Sequence, residues 1–256
     1  MAFVAGFGLL FAGVLAAGEG RAVEAMAKGD CEAPAPHTDL RHCSFAGRQM
    51  AGVDLHGANL SRVDLSTSNL SGCDLTGAIV RGANLKWANL AGCRMRRIDM
   101  TGSDLFHTNL SQTDLSGGDF VKTFMFGAEL AGANGDDADF RGAFMKDISM
   151  EDSRFRRADF SRVFMLRAVL YGSDFRWARL ANVDLTGASA EEVDFSGADL
   201  SGAKLRGSTL ISTVFIGANL DGADLANATF EETEFRGVVN LPEAFAGKAG
   251  KPGRAD

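Results

Sequence analysis

The chain has 256 residues, of which 46% are apolar, so it can bury a sizeable core in one or two domains. Its net charge of −7 disfavours a nucleic-acid binder that works by neutralising phosphates. The same charge does not by itself indicate a nucleic-acid mimic, because many soluble proteins carry as much.

The chain begins with an apolar segment, Ala2 to Ala17, that carries no charge. Downstream, residues 25–27 (Ala-Met-Ala) have the small-x-small pattern of a signal-peptidase site, and Lys28 follows. We therefore predict a secretory signal peptide over residues 1–27 and a periplasmic or secreted protein. No Lys or Arg precedes the apolar segment. The alternatives are a cytoplasmic segment or an uncleaved anchor, which would be the protein's only membrane contact.

A period of five residues runs through most of the chain. From Leu40 to Phe235, every fifth residue is large and apolar in all but two of 40 consecutive frames, the exceptions being Gly135 and Ala190. The residue two positions earlier is nearly always small or β-branched, and the residue between is often Asp or Asn. A period of five fits neither an ordinary helix nor an ordinary strand, and it requires a turn in every unit.

The repeat closely resembles the pentapeptide-repeat family, whose consensus is A-(D/N)-L-x-x. The resemblance covers residues 38–238, and it implies an all-β fold, the right-handed quadrilateral β-helix, with four pentapeptides in each coil and about ten coils. The large and the small residue of each unit then point inward, and the other three point outward. The stretches that match the consensus as they stand begin at Ala58, Ala88, Ala198 and Ala223.

The two ends of the repeat need caps, because a solenoid exposes unpaired strand edges there. Cys31 and Cys43 flank the start of the repeat, and in an exported protein we expect them to form a disulfide. The alternatives are two free cysteines, or a zinc site made with His37 and His42, whose spacing matches no standard motif. The predicted divisions are a signal peptide over 1–27, an N-terminal cap over 28–39, the β-helix over 40–238, and a C-terminal cap and flexible tail over 239–256.

Two further cysteines, Cys73 and Cys93, lie at the small inward position and are 20 residues apart. They are predicted to stack in adjacent coils. We interpret them as small core residues in place of alanine.

The four-frame coil taken from the resemblance assigns each residue to a face of the rod. Phe124, Phe144 and Phe164 fall at one outward position in three successive coils, where the consensus has Asp or Asn. An outward apolar stripe often marks an interface, so we predict a surface for a homodimer or a partner protein. The alternative is that the rings cover one another or lie under a terminal segment. We call this set the aromatic face: Trp87, Phe106, Phe124, Phe126, Phe144, Phe164 and Leu166.

The next-but-one face carries clustered charge, and we call its two arginine triplets the charged face: Arg94, Arg96, Arg97, Arg154, Arg156 and Arg157. Between the triplets lie Asp136, Asp137 and Asp139. Three interpretations stay open: a surface network of weak ion pairs, an anion or acidic-partner site, and a calcium site that lacks calcium-loop spacing. Gly135 places no side chain among the large inward residues of the core, so we predict a local bulge of the backbone there.

No nucleotide-binding loop, Ser–His–Asp set or paired Glu motif appears in the sequence. We expect no catalytic residues, no metal, no cofactor, no small-molecule substrate and no nucleic-acid partner. The sequence favours a non-catalytic structural or protein-interaction rod in the periplasm. The alternative comes from the resemblance, since some family members mimic DNA and bind DNA gyrase in the cytoplasm. The export signal and the arginine triplets count against it.

Overall fold

The computed structural model describes residues 26–241. Two short parallel strands, β1 (Ala27–Lys28) and β2 (Thr38–Asp39), come first. From Asp39 to Val239, isolated parallel bridges join outward residues to those 20 positions later. The chain is therefore an all-β, right-handed quadrilateral β-helix with 20 residues in each coil, which confirms the predicted fold class. No helix in the described residues is long and apolar enough to cross a membrane.

The corners of the coil are β-turns. At one of them the N–H of Ala58 donates to the carbonyl of Leu55 at 3.0 Å, and Gly57 has a φ of 64°. A positive φ at the third residue is typical of a type II turn and favours glycine. Bulky residues adopt the same conformation at other corners, among them Trp87 (φ 59°) and Trp177 (φ 57°).

The outward Asp or Asn of each unit fixes the turn that follows it. Oδ1 of Asn59 accepts the N–H of Ser61 at 3.1 Å, and Oδ1 of Asp99 accepts the N–H of Thr101 at 3.1 Å. These are Asx turns, in which the side chain replaces a backbone acceptor. The polar residue of the consensus therefore stabilises the turn that follows it, whether or not it also contributes to function.

The large inward residues form continuous stacks along the axis. Phe120, Phe140 and Phe160 stack with successive ring centroids 4.8 Å apart. Each buried large side chain contributes on the order of 1.5–3 kcal/mol. Hydroxyls at the small inward position bond to the backbone, as Thr108 Oγ1 does by donating to the carbonyl of Leu85 at 2.8 Å. Within residues 26–241, no buried side-chain nitrogen or oxygen lacks a partner.

The bulge predicted at Gly135 is wrong. The N–H of Gly135 donates to the carbonyl of Arg154 at 2.7 Å, and Asn134 bridges Asp114 on one side and Arg154 on the other. A methyl group added to Gly135 would lie 2.2 Å from the ring of Phe155. The ring of the next coil therefore occupies the space that glycine leaves, and the ladder continues without interruption.

The two ends differ in how much of them the structure describes. At the N-terminal end, β1 pairs with β2, and Lys28 lies opposite Asp39. The predicted cleavage after Ala27 would make Lys28 the first residue of the mature chain. The apolar segment, the rest of the signal peptide and nearly all of the predicted C-terminal cap and tail lie outside the described residues.

Candidate functional site: the aromatic face

The centre of the aromatic face is a column of three phenylalanines. Phe124, Phe144 and Phe164 are joined by successive parallel bridges, so their backbones lie directly above one another. Their rings stack nearly parallel, with centroids 5.0 Å and 5.1 Å apart. The outward position predicted from the sequence is the one that the structure shows.

A second stack lies beside this column, along the adjoining turns. The rings of Phe106 and Phe126 stack at 5.4 Å, and Phe106 lies 6.4 Å from Phe124 and so joins the two stacks. Trp87 packs edge-on against Phe106 at 5.5 Å and stacks on His107 at 4.4 Å. His107 was not among the predicted residues of this face, although its position 20 residues after Trp87 places the two in one column.

The rings cover one another only in part. Trp87 is 58% exposed and Phe124 is 39% exposed, while the other members of the aromatic face are half-buried. Stacking shields the ring faces and leaves the edges in solvent. The alternative in which a terminal segment covers the stripe concerns residues outside the described range.

Cations border the phenylalanine column on both sides. Lys122 and Arg162 lie at the turn before it, and Lys146 lies at the turn after it with Nζ 5.7 Å from the ring centroid of Phe126. None of the three is within ion-pair distance of a carboxylate in residues 26–241. The aromatic face is therefore an apolar stripe with a positive border.

The arginines of the charged face mostly pair with aspartates. Arg94 lies 3.0 Å from Asp74, and Arg96 pairs with Asp114. Arg97 is not within ion-pair distance of a carboxylate in the described part of the chain. The first triplet thus matches the interpretation as a network of surface ion pairs, each worth little.

The second triplet is held by the acidic segment between the two. Arg154 lies 3.1 Å from Asp136, and Arg157 lies 2.7 Å from Asp137. Arg156 pairs at 2.5 Å with Asp174 in the next coil, an aspartate that Arg176 also contacts at 2.7 Å, and Asp139 pairs with Arg141 at 2.6 Å. The hydrogen bond from Arg157 lowers the pKa of Asp137. The three acids proposed for calcium are bonded to arginines and do not gather into one group.

The N-terminal cap brings Cys31 and Cys43 together. The structure joins them with an S–S distance of 1.98 Å and a Cα–Cα distance of 5.5 Å. His42 Nε2 lies 3.7 Å from Cys43 Sγ, but His37 stacks edge-on against His56 at 4.4 Å. Three residues of the alternative zinc set, Cys31, His42 and Cys43, therefore have their ligand atoms within 4.8 Å of one another, while the fourth, His37, is not part of this group.

Cys73 and Cys93 stack in adjacent coils, as their spacing predicts, and both are fully buried at the small inward position. The structure also pairs their sulfur atoms, which the interpretation as separate core residues did not include. The pairing follows from the stacking, because parallel bridging brings their Cα atoms within 4.6 Å.

The repeat is matched by the family model described as pentapeptide repeats, in overlapping copies that cover residues 37–120 and 148–239. The chain belongs to the pentapeptide-repeat family. No curated protein matches this pentapeptide-repeat chain.

Solved structures of pentapeptide-repeat proteins are similar to the chain over most of its length. A trypsin-treated form of QnrB1, a plasmid-mediated fluoroquinolone resistance protein, is 20% identical over 73% of this chain and 89% of its own, with a TM-score of 0.55. HetL, involved in heterocyst differentiation regulation in the cyanobacterium Nostoc sp. strain PCC 7120, is 25% identical over 81% and 91%, with a TM-score of 0.44. The QnrB1 likeness supports the fold alone.

Proposed function

We propose that the protein is an exported, non-catalytic rod that binds a partner protein, or a second copy of itself, through the aromatic face. Pentapeptide-repeat proteins are generally structural or interaction proteins without enzymatic activity. The observation that carries the proposal is the column of Phe124, Phe144 and Phe164 at outward positions where the family consensus has a polar residue.

This column replaces residues that would stabilise the fold. Asp104, before the column, accepts the N–H of Phe106 at 3.1 Å, and Asp184, after it, accepts the N–H of Thr186 at 3.1 Å. Phenylalanine has no acceptor for such a bond, so three successive turns lose their Asx hydrogen bond. Exposed aromatic rings in place of stabilising polar side chains are typical of a binding surface.

The export part of the proposal rests on the N-terminal sequence and on the cap. Structural disulfides persist in oxidising compartments and are rare in the bacterial cytosol. The approach of Cys31 and Cys43 across the cap is the arrangement expected of a periplasmic or secreted protein.

The DNA-mimic alternative depends on unpaired negative charge along the rod. One column of carboxylates is suitably regular: Asp99, Asp119, Asp139 and Asp159. Arginines neutralise three of these four carboxylates. Arg81 lies 2.5 Å from Asp99, Arg141 lies 2.6 Å from Asp139, and Arg179 lies 3.3 Å from Asp159. The geometry therefore favours the interaction rod over a mimic of the DNA backbone.

Substitution of Phe144 tests the binding surface. Phe144→Asp restores the consensus residue, so the variant is expected to fold at least as well as the parent. In size-exclusion chromatography of native periplasmic extract, the parent should elute as a larger species than the variant. Ile79→Asp is the matched control, because Ile79 holds the same repeat position on another face. If Phe144→Asp elutes with the parent, the aromatic face is not the binding surface.

Intact mass tests the export. Protein from fractionated bacterial cells should be periplasmic and begin near Lys28, and Cys31 and Cys43 should react with an alkylating reagent only after reduction. Full-length cytosolic protein with free thiols would contradict the export proposal, and gyrase supercoiling would then be the assay of choice.

A further inference from the structure

We propose that the aromatic face binds a second copy of the chain, with the two rods antiparallel and the row of Phe124 opposite the row of Phe144. This inference rests on the proposed function, because it names the occupant of the same surface. Charged residues lie in line with Phe124, Phe144 and Phe164 on both sides of them, and their order along the rod favours one arrangement of two copies. Residues 20 apart form straight columns from Asp39 to Val239, so the order of residues along a column is also their order along the rod.

The central column of this face is apolar in the middle and charged toward both ends. Asp64 and Asp104 lie on the N-terminal side of the phenylalanines, and Asp184, Lys204 and Asp224 lie on the C-terminal side. In a two-fold dimer of parallel rods, the axis runs along this column and each charge meets its own copy. Five like-charge contacts would result, and like charges directly opposite each other are destabilising.

An antiparallel dimer reverses the order of the column in the partner. With the two-fold axis midway between Phe124 and Phe144, these two rings face each other across the interface. Asp64 then faces Lys204, and this contact occurs twice in the dimer. Asp64 has no ion-pair partner among residues 26–241, whereas Lys204 is 62% exposed at its side chain and its Nζ lies 3.5 Å from Asp184 of the same chain. The contact between copies would give Asp64 a cation and Lys204 a second carboxylate.

The turns beside the column agree with this register. Phe106 faces Leu166 of the second copy, and Lys86 lies near Asp184. Trp87, which protrudes from a turn at 58% exposure, faces the flat turn at Gly187. Phe106 and Trp87 thus meet an apolar or a small residue of the second copy, and Phe126 faces Lys146.

Neighbouring registers are worse for physical reasons. An axis through Phe144 sets Asp104 against Asp184, and an axis through Phe124 sets Asp64 against Asp184. Moving the axis by one full coil, to midway between Phe144 and Phe164, sets Phe124 against Asp184 and Phe106 against Arg206. The register midway between Phe124 and Phe144 sets Asp104 against Phe164, but it brings no two carboxylates of the column together and keeps Phe106 opposite Leu166.

The size of the surface sets the expected affinity. Residues 64 and 204 are seven coils apart, which is about 34 Å at the strand spacing of about 4.8 Å. A face of one pentapeptide is about 15 Å wide, because an extended residue spans at most about 3.6 Å. Each copy therefore buries about 500 Å² and the dimer about 1,000 Å² in total, which is the lower limit for a specific interface. The dimer should therefore form reversibly, with its population rising over an accessible range of concentration.

The test is a reciprocal charge exchange measured by sedimentation velocity on the purified mature protein. Asp64→Lys and Lys204→Asp should each weaken the dimer at least about tenfold, since each introduces two like-charge contacts. The double variant should recover the parental dissociation constant. Within one chain the two residues are too far apart to compensate each other.

A matched control is available on another face. Asp64 Oδ1 accepts the N–H of Ser66 at 3.0 Å and a proton of Asn84 Nδ2 at 2.9 Å. Asp199 makes the same two bonds, from Ser201 at 3.1 Å and from Asn219 at 3.0 Å, away from the aromatic face. Asp199→Lys therefore loses the same local bonds and should dimerise like the parent.

Each outcome separates this inference from the proposed function. A dimer that the double variant does not restore overturns the antiparallel register, while the effect of Phe144→Asp still decides whether the face binds. A parent that stays monomeric overturns the second copy as occupant. If that monomer pellets with vesicles of anionic phospholipid, the occupant is a lipid surface. If the purified parent is monomeric but forms a complex in native extract, and the Phe144→Asp variant does not form it, the occupant is another protein and the proposed function stands.

Discussion

Gly135 is the position where a conservative substitution should be most damaging. Its φ is not positive, so the backbone itself would accept alanine. A Cβ there would lie 2.2 Å and 2.4 Å from two atoms of the Phe155 ring, well inside contact distance. That ring is fully buried and packs against Phe140, Phe160 and Phe175, so it has little room to move.

We predict that Gly135→Ala destabilises the rod by about 1–3 kcal/mol, the usual result of forcing extra atoms into a packed core. Phe155→Leu alone should also destabilise, because it leaves a cavity. In the double variant the new methyl group enters the space that the ring has left. The two changes should then be coupled favourably by about 1–2 kcal/mol.

The assay is urea unfolding of the four proteins, followed by far-ultraviolet circular dichroism. Gly135→Ala should lower the midpoint, and the double variant should be more stable than the sum of the single changes allows. A Gly135→Ala protein as stable as the parent would refute the reasoning, because the ring of Phe155 could not then occupy that space.

Three further predictions concern the cap, the surface ion pairs and pH. Cys31→Ser opens a loop of 12 residues and should cost about 3 kcal/mol by the chain-entropy estimate, seen as a lower urea midpoint; reduction should then lower the midpoint of the variant less than that of the parent, because only Cys73 and Cys93 are still paired in the variant. Arg157→Ala should cost less than about 1 kcal/mol while the pKa of Asp137 rises in a carboxyl NMR titration; a loss of several kcal/mol would contradict the weak-pair interpretation. The side-chain hydrogen bond from Arg41 lowers the pKa of Asp39 to about 2. Its contribution to stability is therefore present at neutral pH and lost as pH falls from about 4 toward 2, and Arg41→Ala should reduce that dependence in acid unfolding curves, leaving the part due to the backbone N–H of residue 41, which still donates to Asp39.

The sequence predicts every feature that depends only on the period. Once the five-residue repeat and the four-unit coil are known, residues 20 apart must stack. The positions of Phe124, Phe144 and Phe164 in one outward column follow directly, and so does the stacking of Cys73 on Cys93. Neither inference requires knowledge of a single side-chain rotamer.

Features that depend on side-chain direction could not be predicted in this way. The pattern shows that Gly135 leaves space, but not that Phe155 leans into it, because a period does not specify how a ring tilts along the axis. The pattern also does not show which arginines reach a carboxylate. Arg157 forms an ion pair with Asp137 in the preceding coil. Arg162 is also exposed, but it has no ion-pair partner in the described residues.

Site-specific photo-crosslinking in living cells tests the central claim, that the aromatic face binds protein, most directly. A benzophenone side chain would replace Phe124 in one variant and Trp177 in the other, two exposed aromatic residues on different faces. The account predicts a crosslinked product from position 124 and none from position 177, with twice the mass of the mature chain if the occupant is a second copy. Equal crosslinking from both positions, or none from position 124, would contradict it.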